Sequence, residues 1–356
     1  MSDEGAATTA TTTKNVGVGI VGFGRTGAAH ARWLARAAGI RAVAVAETAP
    51  SRREAALAAG LRVYDSIDAL VSDAAVDAVF VATPTVTHFE HARRALEAGR
   101  HVMVDRPVAA TLAEARWLVQ EAAKRKRVLT AFHDRRWDLD FLTVKAAVES
   151  RSLGKLINVE SRLALPTDPA PVAGEAPTSH TAATDDRMSE WATHLLDQLW
   201  RLLWPAKPLR VFAQFRPGAG PADRDDFARV CVDFENDIAA LVEVNATTPL
   251  PVPRWRVDGS AGSAFSAPGI SLDPAAWADL SFSPIDGGPA RALRPADPGL
   301  IPADLWSRFG AAVRGQGLPA VSADSVLPAT ALLDAARESA AKGRSIDVRD
   351  LVQWVY

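Results

Sequence analysis

The stretch that most constrains this chain is residues 16–27, VGVGIVGFGRTG. A run of small and β-branched apolar residues ends in Gly22-Phe23-Gly24-Arg25-Thr26-Gly27, and a helix-like segment follows. Gly22 permits a tight turn leaving a strand, Gly24 lets backbone approach a pyrophosphate, and Gly27 lets a helix pack close to the strand. The helix opens with free N–H groups and the positive end of its dipole, which suits an anion. Twenty residues past Gly27, after a second apolar run, sits Glu47, placed to accept hydrogen bonds from ribose hydroxyls. The glycine pattern alone is weak. With a strand before it, a helix after it and an acid at this distance, it predicts a dinucleotide site rather than a chance glycine turn. Glu47 repels a 2′-phosphate, so NAD is favoured over NADP, although Arg52 and Arg53 stand close enough to receive one.

A length of 356 residues allows two domains, and a 48% hydrophobic composition supplies a full core. A net charge of −2 without a basic surface argues against nucleic acid as a partner. The one dense basic run, Lys124–Arg127, reads as a solvated helix C-terminus. The single cysteine, Cys231, lies in an alternating apolar run and reads as a small core residue, which suits a reducing cytoplasm. No run of about 18 apolar residues predicts a membrane span. The Thr/Ala-rich residues 1–14 read as a disordered tail, not a signal peptide.

From Val16 to about His133, short apolar runs alternate with helical segments at Thr26–Ala38, Ser51–Ala58, His88–Ala98 and Leu112–Lys124. This predicts an α/β fold with a doubly wound parallel sheet, spanning residues 15–134. Ligands bind such sheets at the carboxyl ends of strands, so Gly22, Glu47, Thr83-Pro84 and Asp105-Arg106-Pro107 fall on one rim. Arg135–Ser150 reads as a helix crossing into a second, α+β domain over residues 135–356. There, strands at Lys155–Leu165, Leu209–Phe215, Phe227–Phe234, Ala239–Asn245 and Trp255–Asp258 predict a mostly antiparallel sheet. Pro166–Asp186 reads as a long loop, and a last helix near Ser322–Lys342 is placed to pack back on the first domain.

At this point the chain resembles the Gfo/Idh/MocA family of sugar and cyclitol oxidoreductases over about residues 15–348. The matching pieces are GFGRTG, VATPTVTH (81–88), EAGRHVMVDRP, FHDRRWDLDF (132–141), EWATHLLDQ (190–198), VDGSAGS (257–263) and LLDAARESAAKGR (332–344). The resemblance implies a Rossmann domain, a substrate domain with an open sheet, NAD(P), a sugar-like or polyol substrate, and a homodimer or homotetramer built through that sheet. It also implies that Thr83, Pro84, Thr85, His88 and Asp105 line the dinucleotide. Two departures stand out. The family's Glu-Lys-Pro is Asp105-Arg106-Pro107 here, and the aspartate of its Asp-x-x-x-His is Glu190, with His194 kept.

Glu190, His194 and Asp197 share one helical stripe, so an acid one turn from the histidine can orient its ring. The same stripe also fits a salt-bridged structural histidine. Arginine stays protonated, so Arg106 cannot be the base that a lysine would be, but it can polarise a substrate oxygen. Arg106 also fits a structural pair with Asp105. The proton work is then expected of His194, with Glu190 orienting it. Trp137 and Trp191 are candidate platforms for a sugar face, and Asp134 and Asp197 candidate substrate contacts. No metal site is expected. The expected activity is hydride transfer between nicotinamide and a carbonyl or hydroxyl carbon. An enzyme that retains NAD without net redox and a silent NAD-binding regulator remain alternatives.

Overall fold

The structure, a computed structural model, describes residues 15–165, 187–218, 225–269, 279–294 and 299–352. The expected tail (1–14) and long loop (166–186) lie outside the described residues, as do the side chains of 187–190. The first half runs β1 (Val16–Val21), α1 (Arg25–Leu34), β2 (Ile40–Ala46), α2 (Pro50–Ala58), β3 (Arg62–Tyr64), α3 (Ile67–Val71), β4 (Ala78–Val81), α4 (His88–Glu97), β5 (His101–Val104), α5 (Leu112–Lys124) and β6 (Leu129–Ala131). Its six strands are all parallel, in the order β3-β2-β1-β4-β5-β6. The order reverses at β1, which opens a crevice between β1 and β4 at the strands' carboxyl ends. β1 and β4 are buried along their whole length, because helices cover both faces of the sheet.

The expected helix from Arg135 divides in two. A 3-10 turn covers Asp134–Trp137, and α6 (Leu139–Glu149) follows. Asp138 between them stays extended, with φ −61° and ψ 135°, so the chain turns a corner there.

Beyond it come β7 (Leu156–Ala164), α7 (Arg187–Leu203), β8 (Pro208–Pro217), β9 (Asp225–Phe234), β10 (Ile238–Asn245), β11 (Val252–Pro253), β12 (Trp255–Gly259), β13 (Gly262–Ser266), β14 (Pro268–Gly269), β15 (Leu280–Pro284) and β16 (Arg291–Leu293). The chain closes with α8 (Pro302–Val313), α9 (Leu327–Lys342), β17 (Ile346–Asp347) and α10 (Arg349–Val352). A nine-stranded sheet runs β16-β15-β13-β12-β7-β10-β9-β8-β17. β7 pairs parallel with β10 and the other pairings are antiparallel. Leu196, Leu199 and Leu203 of α7 join the core that covers one face.

The other face is open, and Cys231 is on it. Contrary to the sequence expectation it is exposed, because its neighbours Val230 and Val232 take the buried parity of β9. Across six strands, the cross-strand partners Phe212, Cys231, Leu241, Glu160, Arg256 and Phe265 form one row on this face.

The last helices bind the two halves together. α8 lies against α1 and β2, while α9 packs on both β8 and α5. Asp334 of α9 accepts the Leu112 N–H at 3.0 Å, and Arg337 donates to the Ala110 carbonyl at 2.7 Å.

Candidate active site

The glycine loop divides its labour. Gly22 has φ +89°, and a Cβ there would come 2.8 Å from the Ala82 carbonyl oxygen. A Cβ at Gly27 would lie 2.1 Å from the Gly22 oxygen, so α1 approaches β1 as closely as backbone allows. Among the described residues, a Cβ at Gly24 would have only the Arg52 guanidinium within 4 Å, at 3.7 Å, and would otherwise enter open space at the loop. Gly24 is the N-cap of α1 and supplies no side-chain cap. The first-turn N–H groups of Arg25, Thr26 and Gly27 therefore face a site suited to a pyrophosphate.

Glu47 closes the far side of this loop. Its Oε2 accepts the Phe23 N–H at 2.8 Å, and Oε1 accepts the N–H groups of Thr48 (2.9 Å) and Ala49 (3.0 Å). Arg52, half exposed, stands 3.9 Å from the same carboxylate. Arg53 is turned away, donating to the Glu47 and Tyr64 carbonyls and pairing with Asp65.

On the other side of the crevice, Thr83, Pro84 and Thr85 leave β4 into a 3-10 turn. His88, expected against the cofactor, is instead 2% exposed. Its Nδ1 lies 2.7 Å from the Pro107 carbonyl oxygen and its Nε2 2.7 Å from the Thr83 carbonyl oxygen. Set between these two carbonyls, one of which accepts its ring N–H, it braces the loop after β4 against the loop after β5.

That second loop carries Asp105 and Arg106. Asp105 Oδ1 accepts the Arg106 backbone N–H at 3.0 Å and its Nη1–H at 2.5 Å. The Arg106 Nε–H donates to His194 Nε2 at 2.7 Å. A guanidinium has no acceptor, so His194 must be neutral, with its proton on Nδ1. Burial, then the charge of Arg106, holds the His194 ring well below its ordinary value of 6.5; His133, Arg135 and Arg254 act the same way. This revises the role expected of His194. At neutral pH the ring has no second proton to give, and its lone pair is already engaged. Asp134 Oδ1 stands 4.0 Å from the same Nε2, and the His133 ring packs edge-on at 5.7 Å.

Asp197, expected to touch substrate, is 1% exposed and does other work. Arg136 grips it with two bonds, Nε to Oδ2 at 2.7 Å and Nη2 to Oδ1 at 2.6 Å. Arg136 also donates to Ser325, at Oγ (2.9 Å) and at the carbonyl (3.0 Å). Trp137, a candidate sugar platform, packs against the two apolar clusters of the first sheet instead. Trp191 stays near the site, with Arg135 over its ring at 5.0 Å and the His194 ring at 6.0 Å. Glu190 lies on α7 one turn before His194, and its side chain is outside the described residues.

A cavity of about 350 Å3 opens beside Arg106. Its floor is aromatic, from His30, Trp33 and Phe132, and its polar wall includes Asp134, Arg135 and Asp138. His30 stacks on Phe80 at 4.1 Å, and burial lowers its pKa well below 6.5. Sequence reading missed His30, Arg135 and Asp138 as site residues. Arg135 and Asp138 lie inside the FHDRRWDLDF segment, and the extended corner at Asp138 is what turns that residue to the cavity.

Two family models match the chain. The "Oxidoreductase family, NAD-binding Rossmann fold" model covers residues 16–133, and the "GFO/IDH/MocA C-terminal domain" model covers residues 141–265. The oxidoreductase YdgJ of Escherichia coli is 34% identical over 59% of this chain, and the match spans 60% of its own length. Inositol 2-dehydrogenase 2 of Saccharopolyspora erythraea is 29% identical over 93% of this chain and 95% of its own. The crystal structure of an NAD-binding protein from Listeria innocua superposes with a TM-score of 0.78 at 28% identity, covering 94% of this chain and 97% of that one. With a parallel dinucleotide sheet, a mixed second sheet and a glycine loop shaped for NAD, the chain belongs to the Gfo/Idh/MocA family of oxidoreductases.

Proposed function

We propose that this NAD-binding oxidoreductase transfers a hydride between nicotinamide and a carbonyl or hydroxyl carbon of a sugar, cyclitol or related polyol, with carbonyl reduction the favoured direction. The observation that carries the reading is the Arg106–His194 hydrogen bond, set at the carboxyl end of β5 beside the glycine loop.

NAD fits the residues present. Gly24 leaves its Cβ space to a ligand, α1 offers uncapped N–H groups, and Glu47 is a carboxylate beside the loop. When bound there, the reduced cofactor supplies the hydride. Arg106 holds the reacting oxygen and stabilises the negative charge that grows on it. Asp105 and His194 fix the guanidinium from two sides, so that its position is set before substrate arrives. His194 is thus a positioning residue for Arg106. Trp191, half-buried against the core of the second sheet with Arg135 over its ring, is the remaining aromatic candidate for the carbon side of a polyol. The similarity to an inositol 2-dehydrogenase over nearly the whole chain supports a cyclitol among the candidates.

The test is loss of nicotinamide absorbance with NADH, and separately NADPH, against a panel of inososes, keto-sugars and uronates. Turnover that falls in Arg106→Ala supports the reading. Product formed with retained NAD and no net consumption would instead select the non-redox alternative. The open sheet face, with Phe212, Leu241 and Phe265 in one row, supports assembly as a dimer or tetramer, which light scattering on the purified chain decides.

A further inference from the structure

With His194 neutral and its lone pair engaged, carbonyl reduction still needs a proton for the oxygen that Arg106 holds. Asp138 lines the same cavity as Arg106 and Asp134. It is the N-cap of α6, yet its side chain makes no capping bond, which is what an N-cap aspartate ordinarily does. Its Oδ2 is buried and lacks a hydrogen-bond partner among the described residues. Arg135 Nη1 stands 3.5 Å from that oxygen, in a pair too long for a hydrogen bond.

We infer that Asp138, an uncapped carboxyl lining the cavity beside Arg106, is the proton donor of this site and delivers its proton to the reacting oxygen. The inference rests on the hydride-transfer reading above. The balance is simple. The carbonyl carbon gains the hydride that NADH loses, the oxygen gains the proton that the Asp138 carboxyl loses, and the resulting carboxylate is reprotonated from solvent. NADH and the carbonyl compound become NAD and the alcohol, with one proton consumed.

The surroundings agree. Burial pushes Asp138 from the ordinary 3.8 up to about 8. Arg135 and Arg254 oppose that shift, while Asp140 on its own helix and Asp134 on the preceding turn reinforce it. Arg254 is itself committed elsewhere, donating to Gln198 Oε1 at 2.6 Å and to Ser161 Oγ. A carboxyl whose burial, reinforced by two neighbouring carboxylates, outweighs two nearby guanidinium groups holds its proton near neutral pH and can serve as a general acid.

Two measurements test this. Infrared difference spectra of wild type minus Asp138→Asn, taken without substrate, should show the carbonyl stretch of a protonated acid at neutral pH, fading as pH rises through about 8. Absence of that band at neutral pH overturns the inference. With a turned-over substrate, Asp138→Asn should lower kcat for reduction by about 100-fold and abolish the alkaline fall in rate, while Asp138→Glu restores that fall. An unchanged pH profile in Asp138→Asn overturns it too. No turnover by wild type across the panel would sink the hydride-transfer reading, and the infrared band would still decide the state of Asp138.

Discussion

Arg106 and His194, 88 residues apart, meet through one hydrogen bond of 2.7 Å in which the guanidinium donates and the imidazole accepts. The bond fixes two things at once: the tautomer of the ring and the direction of the cation. Lysine at position 106 would supply a point charge without the planar fork that reaches Asp105 and His194 together. Arg106→Ala should therefore lower kcat/KM for reduction by about 100-fold, and Arg106→Lys by less. His194→Ala should reduce kcat more than it raises KM, because the ring positions Arg106 rather than binding substrate. Steady-state kinetics with the best substrate of the panel checks all three.

The buried pair of Arg136 and Asp197 is a matter of stability. Removing the carboxylate strands a guanidinium that is 4% exposed. Asp197→Ala should cost about 3–5 kcal/mol in equilibrium urea unfolding. A loss near zero would place substrate, not Arg136, as the main partner of Asp197.

The Asp138 carboxyl ties stability to pH with a definite sign. Its pKa is raised in the fold, so its contribution is fully present below the ordinary 3.8 and is lost as pH climbs through about 8. Asp138→Asn removes that dependence. The melting temperature of the variant minus that of wild type should rise across this window and level off above it. A pH-independent difference would contradict the assignment.

The glycines of the loop should separate binding from folding. Gly24→Ala places its methyl in the ligand space without a backbone clash, and should weaken NADH binding at least about tenfold while leaving the melting temperature near wild type. Gly27→Ala drives a Cβ against the Gly22 oxygen and should lower stability outright. Fluorescence titration and thermal melts distinguish the two.

The first sheet was legible because its central strands are buried on both faces and read as unbroken apolar runs, VGVGIV and AVFV among them. In the second sheet, the long alternating strands could be read, and β13 and β15 could not. GSAFS and LSFSP are short and rich in Gly, Ser and Pro, so they carry turn composition into a ladder that only long-range pairing makes regular. Cys231 was misplaced for a related reason: alternation gives two faces, and one strand alone does not say which is covered. At the site, Arg106 and His194 were legible from their motifs. The link between His88 and two carbonyls, the grip of Arg136 on Asp197, and the Asp140–Gln198–Arg254 cluster join positions far apart in the chain, and no local pattern announces them.

Arg136 leaves the dinucleotide sheet on one side and touches α7 and the turn before α9 on the other, through Asp197 and Ser325. A guanidinium held by four hydrogen bonds to two residues makes a poor hinge. The cleft walls above it should move as a single solid, so ligand discrimination would come from side-chain rearrangement within a rigid jaw. Small-angle scattering should then record nearly the same radius of gyration with and without NADH.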